Sequence, residues 1–296
     1  SVRGEWLSPH VSDVHTRSEF CAACHNVFHP VTNTAIARTY EEWKGSVYAE
    51  HEIQCQDCHM APPEVAAQVA ATLEKQPQRG LTSTFGTERS PFFEHTFTGA
   101  NAAVPTVLGH WQTAADARKR LQIAARLSLS APAELRPGAP LPLEVRVENA
   151  RAGHNLPTSM TEIRQMWLHV TVRDEGDGGR VLWESGALDA RGTLDPGARR
   201  YGSRAVDVDG SPTWKPWQVA KIERDTSIPP RGSAVEAFSV PVPEGAKGPL
   251  RVDASLHYRS FSQEVADEYL GRPGWIVPDI TMTSAAAQVR VAPRAP

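Results

Sequence analysis

The chain has 296 residues, of which 40% are hydrophobic and 22% are charged, as is usual for a soluble globular protein. This length is enough for one large domain or two ordinary ones. The formal net charge is −3 and no basic stripe is present, which argues against nucleic acid as a partner. No run of about 18 apolar residues occurs, so we expect no transmembrane segment.

Residues 1–120 contain eight of the eleven histidines and almost no regular strand pattern. Two C-x-x-C-H motifs lie here, CAACH at residues 21–25 and CQDCH at residues 55–59, and together they use all four cysteines. The remaining segments predict helices over 35–49, 62–75 and 111–121 and a polar loop over 76–90. We therefore predict that residues 1–120 form a mostly helical and loop domain.

From residue 121 the pattern changes to short segments of alternating apolar residues, separated by turn-forming pieces such as LRPGAP and DEGDGG. Strands are predicted in LQIAARLSLS, LPLEVRVENA, MWLHVTVRD, GRVLWES, AVEAFSVPV, PLRVDASLHYRS and AAQVRV. Such a series of short strands is typical of an antiparallel β-sandwich of the immunoglobulin-like (Ig-like) kind. The predicted fold class is accordingly α+β, with the helical and loop domain over 1–120 and a β-sandwich domain over 121–296.

C-x-x-C-H is the attachment signature of c-type haem. The two cysteines of a motif bond to the porphyrin vinyl groups, and the histidine that follows becomes the proximal axial ligand of the iron. Two complete motifs with no cysteine left over predict a dihaem c-type cytochrome domain with two covalent haem c groups. The thioether residues are expected to be Cys21, Cys24, Cys55 and Cys58, and the proximal ligands His25 and His59.

Three other uses of paired cysteines are weaker explanations. A zinc site would use the four thiolates and would not need a histidine directly after each pair. A disulfide framework is unnecessary in a chain long enough to bury a large core. A thioredoxin-like redox centre would place one C-x-x-C in a βαβ unit, and that pattern is absent from this sequence.

The second axial position of each iron decides between electron transfer and ligand binding or catalysis. His95, in the aromatic segment FFEHTFTGAN, and His154, in the stiff loop AGHNLPTS, are the preferred distal ligands. His15 is the next candidate and His10 a weaker one. Methionine ligation of one haem is a further alternative.

The segments SEFCAACH, TYEEWKGSVYAE and IQCQDCHM resemble the paired-haem core of multihaem cytochromes c of the cytochrome c-554 and c-prime kind. HTFTGAN, AGHNLPTS and WLHVTVRDEGDGGRVLWESG resemble parts of larger members, in which a β-sandwich follows the haem region. The resemblance extends from about Ser18 to Arg259. It implies an electron carrier with bis-histidine haems, in which His95 and His154 are distal ligands. This chain departs from those relatives, which commonly carry four or more haem motifs.

These features predict an electron-transfer protein rather than an enzyme, with other redox proteins or cytochrome subunits as partners in an oligomer or larger assembly. The alternative is a haem enzyme with one open iron site that acts on a small nitrogen or oxygen compound. Covalent haem attachment occurs outside the cytoplasm, and no signal peptide is present at SVRGEW. We therefore expect an exported protein, periplasmic or extracellular, whose leader has been removed.

Overall fold

The structure, a computed structural model, describes residues 12–272 and 274–293, so the candidate ligand His10 lies outside the described residues. Of the described residues, 33% are in strands and 25% in helices. No helix within these ranges is both long enough and apolar enough to cross a membrane, which agrees with the sequence-based expectation.

The motif region, residues 12–124, consists of short helices and two small sheets. Its helices are α1 (Ser18–His25), α2 (Thr39–Lys44), α3 (Val47–Glu50), α4 (Cys55–His59), α5 (Pro63–Thr72), α6 (Ala103–Val107) and α7 (Trp111–Ala124). Its strands form two antiparallel pairs, β1 (Val27–Phe28) with β2 (Ala35–Ala37) and β3 (Gln78–Leu81) with β4 (Glu88–Phe92). The two cysteine motifs therefore lie on α1 and α4.

Buried polar side chains hold α1 and α4 together. The Ser18 hydroxyl accepts a hydrogen bond from the Cys55 N–H at 3.0 Å and donates one to the Gln54 side chain at 2.9 Å. The Gln56 amide, which is almost fully buried, donates to two backbone carbonyls just before α1, at 2.8 and 2.9 Å. Because buried polar groups are costly unless they are paired, these bonds fix how the two helices dock.

The sandwich region, residues 125–293, contains most of the strands. They are β5 (Ala125–Ser130), β6 (Glu134–Leu135), β7 (Leu141–Asn149), β8 (Gln165–Asp174), β9 (Arg180–Ser185), β10 (Arg200–Tyr201), β11 (Ser203–Val206), β12 (Pro212–Thr213), β13 (Lys221–Asp225), β14 (Ser233–Val240), β15 (Leu250–Arg259) and β16 (Ile280–Val291). One helix, α8 (Gln263–Tyr269), lies between the last two strands.

Two sheets of the sandwich region share one hydrophobic core. The larger has the strand order β10-β8-β15-β16-β6 with β9 also paired to β8, and the smaller has the order β14-β7-β5. Every second residue of β7 from Leu141 to Val147 is buried, as expected for a strand with one face on a core. Ala117 and Leu121 of α7 belong to the same core. Helix α7 thus anchors the motif region to the sandwich before the chain passes directly into β5.

The predicted fold class is wrong for the motif region, which is not a mostly helical and loop domain. Ala35–Ala37 is β2 where a helix was expected, and residues 78–92 form the β3–β4 hairpin where a loop was expected. The side chains of β3 and β4 are mostly exposed, so these strands lack the apolar alternation by which half-buried strands are recognised. The strand-rich sandwich region is compatible with the predicted Ig-like part, although β6 and β16 pair in parallel.

Candidate functional site

A cavity of about 280 Å³ lies between the motif region and the sandwich region. Both C-x-x-C-H motifs contribute to it, and so does the loop that joins β7 to β8. Its wall is mainly apolar and aromatic. The residues of its lining that matter most here are Cys21, His25, Cys55, Cys58, His59 and His154, with Tyr40, Trp43, Tyr48 and Tyr258 around them.

His59 and His154 face each other across this cavity. Their ring centroids are 6.1 Å apart and the ring planes are within 18° of parallel. The Nδ1 atom of His59 is 2.8 Å from the Thr98 carbonyl oxygen, and that of His154 is 2.8 Å from the Asn155 carbonyl oxygen. Since each Nδ1–H donates to a carbonyl, the Nε2 atom of each ring is the one left with a free lone pair.

Both imidazoles are half-buried, and removal from solvent disfavours their charged form. Desolvation, helped by the neighbouring His154, lowers the pKa of His59 to about 4. Desolvation also lowers the pKa of His154, against the opposing influence of its carbonyl partner. A neutral imidazole is the form that binds a metal ion.

The loop that carries His154 is fixed from the sandwich side by Asn149, the last residue of β7. This side chain is fully buried and makes three hydrogen bonds. Its amide nitrogen donates to the His154 carbonyl at 2.8 Å and to the Ile228 carbonyl at 3.0 Å, and its oxygen accepts from the Ala152 N–H at 3.0 Å. Leu156 and Ile228 also exchange two backbone hydrogen bonds, so the loop is tied on both sides of His154.

Helix α2 holds the same loop from the motif region. One oxygen of the Glu42 carboxylate accepts hydrogen bonds from the Asn155 N–H at 3.1 Å and from the Thr158 hydroxyl at 2.6 Å. Gly153 packs against the Tyr48 ring, where an added Cβ would lie 3.3 Å from a ring carbon. Residues of both regions therefore contact this loop, and the position of His154 depends on both.

The four cysteines are free thiols in the structure. Burial raises the pKa of Cys55 to about 11 and that of Cys58 to about 12, while Cys24 is exposed. Cys21 and Cys55 lie within hydrogen-bonding reach of each other. The thiolate is the nucleophilic and metal-binding form, and the surroundings of Cys55 and Cys58 disfavour that form.

One arginine lines the cavity and another lies beside it, at the end of α4. Arg120 of α7 donates to the carbonyl oxygens of Cys58 and Ala61, at 2.7 and 2.5 Å, and so supports the C-terminal end of α4. Arg164 lines the cavity and makes only long hydrogen bonds, of 3.3 to 3.4 Å, to carbonyl and hydroxyl oxygens. Within the described residues no carboxylate lies within ion-pair distance of Arg164.

Of the other predicted ligands among the described residues, His25 lines the same cavity, whereas His15 and His95 do not. His25, at the end of α1, lines the cavity but is exposed. His15 is exposed, with its ring 5.2 Å from that of Phe20. His95 is also exposed and its ring is 5.8 Å from that of Phe97. Across the described part of the chain, no group of three or more His, Cys, Asp or Glu side chains is arranged as a metal site.

Sequence reasoning selected His59 and His154, but it missed the residues that hold them. Asn149 ends a strand and Glu42 belongs to the charged face of a helix, and such positions are usually solvated. Only the pairing of Asn149 with the histidine loop five residues later offers a local signal, because Asn often bonds to nearby backbone groups.

No protein-family model matches the chain, and no curated protein matches it. Among solved structures, the chain is similar to a penta-heme cytochrome c552 from Thermochromatium tepidum, with a TM-score of 0.58 and 19% identity. The match covers 92% of this chain and 56% of the cytochrome, so the chain spans little more than half its length. A CARDB domain from Pyrococcus furiosus is a much weaker match, with a TM-score of 0.25, 11% identity, and cover of 56% of this chain and 86% of that domain. The fold is thus similar to that of a multihaem cytochrome.

Proposed function

We propose that the chain is a dihaem c-type cytochrome that carries electrons through two covalently attached haems. Cys21, Cys24 and His25 hold the first haem, and Cys55, Cys58 and His59 hold the second. His154, from the sandwich region, is the distal ligand of the second haem. Bound haem supplies one-electron redox chemistry, and the protein sets its potential through ligands, burial and hydrogen bonds.

The paired rings of His59 and His154 carry this proposal. Two imidazoles that bind opposite faces of one metal ion through Nε2, with bonds of about 2 Å, have ring centres roughly 6 Å apart. The two rings here are 6.1 Å apart and nearly parallel, and their Nδ1 atoms are engaged by carbonyl oxygens. A hydrogen bond at the other ring nitrogen is the usual support of a metal-binding histidine.

The surroundings of the pair suit a porphyrin. Tyr48, Trp43 and Tyr258 offer apolar ring surface to a macrocycle, and Cys55 and Cys58 line the same cavity as His59. Arg164, which has no carboxylate partner among the described residues, suits a haem propionate. Two protein ligands on one iron leave no position for a substrate, so the chain's residues at this haem favour electron transfer over catalysis.

Partners and location follow from the same proposal. Covalent haem attachment places the protein in the periplasm or outside the cell. The cytochrome to which the chain is similar carries five haems, and the two of this chain would exchange electrons with other redox proteins or cytochrome subunits. A distal ligand for the first haem supplied by His15, by His95 or by another subunit is compatible with this role.

The alternative is a haem enzyme in which the first haem has an open iron site. The exposure of His25 favours this alternative. In the described part of the chain, the His25 ring does not contact another imidazole ring. His95 and His15 contact phenylalanine rings instead. Tight binding of cyanide or carbon monoxide at one of two haems would support this alternative over a closed electron carrier.

Haem content and electron paramagnetic resonance test the proposal. A pyridine haemochrome assay should give two haems for each chain, and Cys58→Ala should retain covalent attachment at the first motif. His154→Ala should convert one low-spin ferric signal to high spin, whereas the exposed His110→Ala should leave the spectrum unchanged. An unaltered low-spin spectrum in His154→Ala would show that this histidine is not an axial ligand.

A further inference from the structure

A second cleft, of about 720 Å³, opens in the sandwich region. It is lined by β10 and β11 and by the segment before β8. Arg164 lies between this cleft and the histidine cavity and lines both. The cleft contains none of the cysteines or histidines discussed above, so the electron-transfer proposal leaves it without a role.

Two buried polar side chains in this cleft have atoms without a partner. Tyr201 is 3% exposed, and its hydroxyl group has no hydrogen-bond partner in the described structure. Glu162 is 8% exposed, and one of its carboxyl oxygens is unpartnered in the same way. Because nearly all buried polar groups in native proteins are hydrogen-bonded, these two atoms leave unused hydrogen-bonding capacity in the wall of the cleft.

The charges of the cleft favour an anion. Arg199 is paired with Glu236 at 3.4 Å, but Arg200 beside it has no carboxylate within ion-pair distance among the described residues. Desolvation lowers the pKa of Arg200, without any acid to oppose it. Burial raises the pKa of Glu162 to about 7, so near neutral pH this group is partly protonated and able to donate a hydrogen bond.

The positive and negative side chains that line the cleft do not balance in number. Arg204 is paired with Glu223 at 3.3 Å, whereas Arg224 has no carboxylate within ion-pair distance in the described chain. The remaining acid of the lining is Glu264. The described lining holds five arginines against three glutamates, so it carries an excess of positive charge even with Glu162 ionised.

We propose that this cleft binds a small organic anion that carries carboxylate groups. The Arg200 guanidinium pairs with a carboxylate of the ligand, and the Tyr201 hydroxyl donates a hydrogen bond to it. The guanidinium fork matches the geometry of a carboxylate. The volume of the cleft lies in the range of sites for small organic molecules and exceeds what a single inorganic ion fills.

Calorimetric titration of the haem-loaded protein with citrate, succinate and inorganic phosphate tests the proposal. We expect one citrate or succinate for each chain, and weaker binding of phosphate. Arg200→Gln should weaken carboxylate binding by about tenfold or more, because a charge-assisted hydrogen bond is lost. Arg251→Gln is the matched control, since Arg251 pairs with Asp253 on β15 outside the cleft.

Tyr201→Phe separates binding from folding. Loss of the hydroxyl should weaken citrate binding roughly two- to tenfold, while the midpoint of denaturation without ligand stays the same or rises, because an unpartnered polar atom is removed. Absence of citrate and succinate binding would overturn the proposal, as would equal affinities in wild type and Arg200→Gln. Phosphate binding as tight as that of the carboxylates would show a site for an inorganic ion only. None of these outcomes bears on His154 ligation.

Discussion

Replacement of Asn149 by alanine should loosen the loop that carries His154. The change removes three hydrogen bonds from a fully buried side chain and leaves two carbonyl oxygens and one N–H without that partner. At roughly 1 kcal/mol for each net hydrogen bond, with a further cost for buried groups left unpaired, we expect a loss of about 3 to 4 kcal/mol in the free energy of unfolding.

Asn155→Ala is the control for this prediction, because the Asn155 side chain makes no hydrogen bond within the described structure and only its backbone takes part in the site. Guanidinium unfolding of the haem-loaded protein, followed by circular dichroism, would measure both variants. Asn149→Ala should also broaden the low-spin ferric signal assigned to the second haem. A loss in Asn149→Ala no larger than that in Asn155→Ala would refute the assignment of Asn149 as the anchor of the loop.

Two further predictions concern carboxyl groups. Glu42→Ala should lower the proportion of low-spin haem. Glu42→Gln should largely preserve it, because the amide oxygen still accepts hydrogen bonds from the Asn155 N–H and the Thr158 hydroxyl. Equal electron paramagnetic resonance spectra in the two variants would contradict this prediction. Glu162 has a folded pKa of about 7 against an ordinary value of 4.5, so the folded chain keeps a proton that the unfolded chain releases, and stability should fall as the pH rises through that window. Over this pH range the free energy of unfolding should fall by about 3 kcal/mol. Denaturation midpoints below pH 4.5 and above pH 7 should differ in the wild type and converge in Glu162→Gln.

Alternating sequence patterns were enough to locate the buried strands. β7, β8, β14 and β15 fall within one or two residues of the segments predicted for them. In β7 and β15 buried residues alternate with less buried ones, as expected for strands with one face on the core. The exposed hairpin β3–β4 and the short strands β10 to β13 carry no such pattern and were missed. Helix α7 begins at Trp111 as predicted, but it runs on to Ala124.

For the candidate site, the sequence predicted which residues carry the chemistry but not how they are arranged in space. The C-x-x-C-H spacing identified His59, and a histidine in a stiff loop identified His154, but their distance apart in the chain concealed that the two rings face each other. Whether they are the axial ligands stays a prediction. Glu42 and Asn149 could not be found, because their role depends on which loop packs against them, and that is settled by the assembled fold.

The long separation of His59 from His154 along the chain has a consequence for how the protein is made. The two rings meet only when the sandwich region has folded and its β7–β8 loop has docked against helix α2. Closing such a distant contact is entropically costly, so it forms late in folding. On the proposed ligation, the attachment machinery would reach Cys55 and Cys58 while this side is still open. The second haem would then be attached before the sandwich region closes over it.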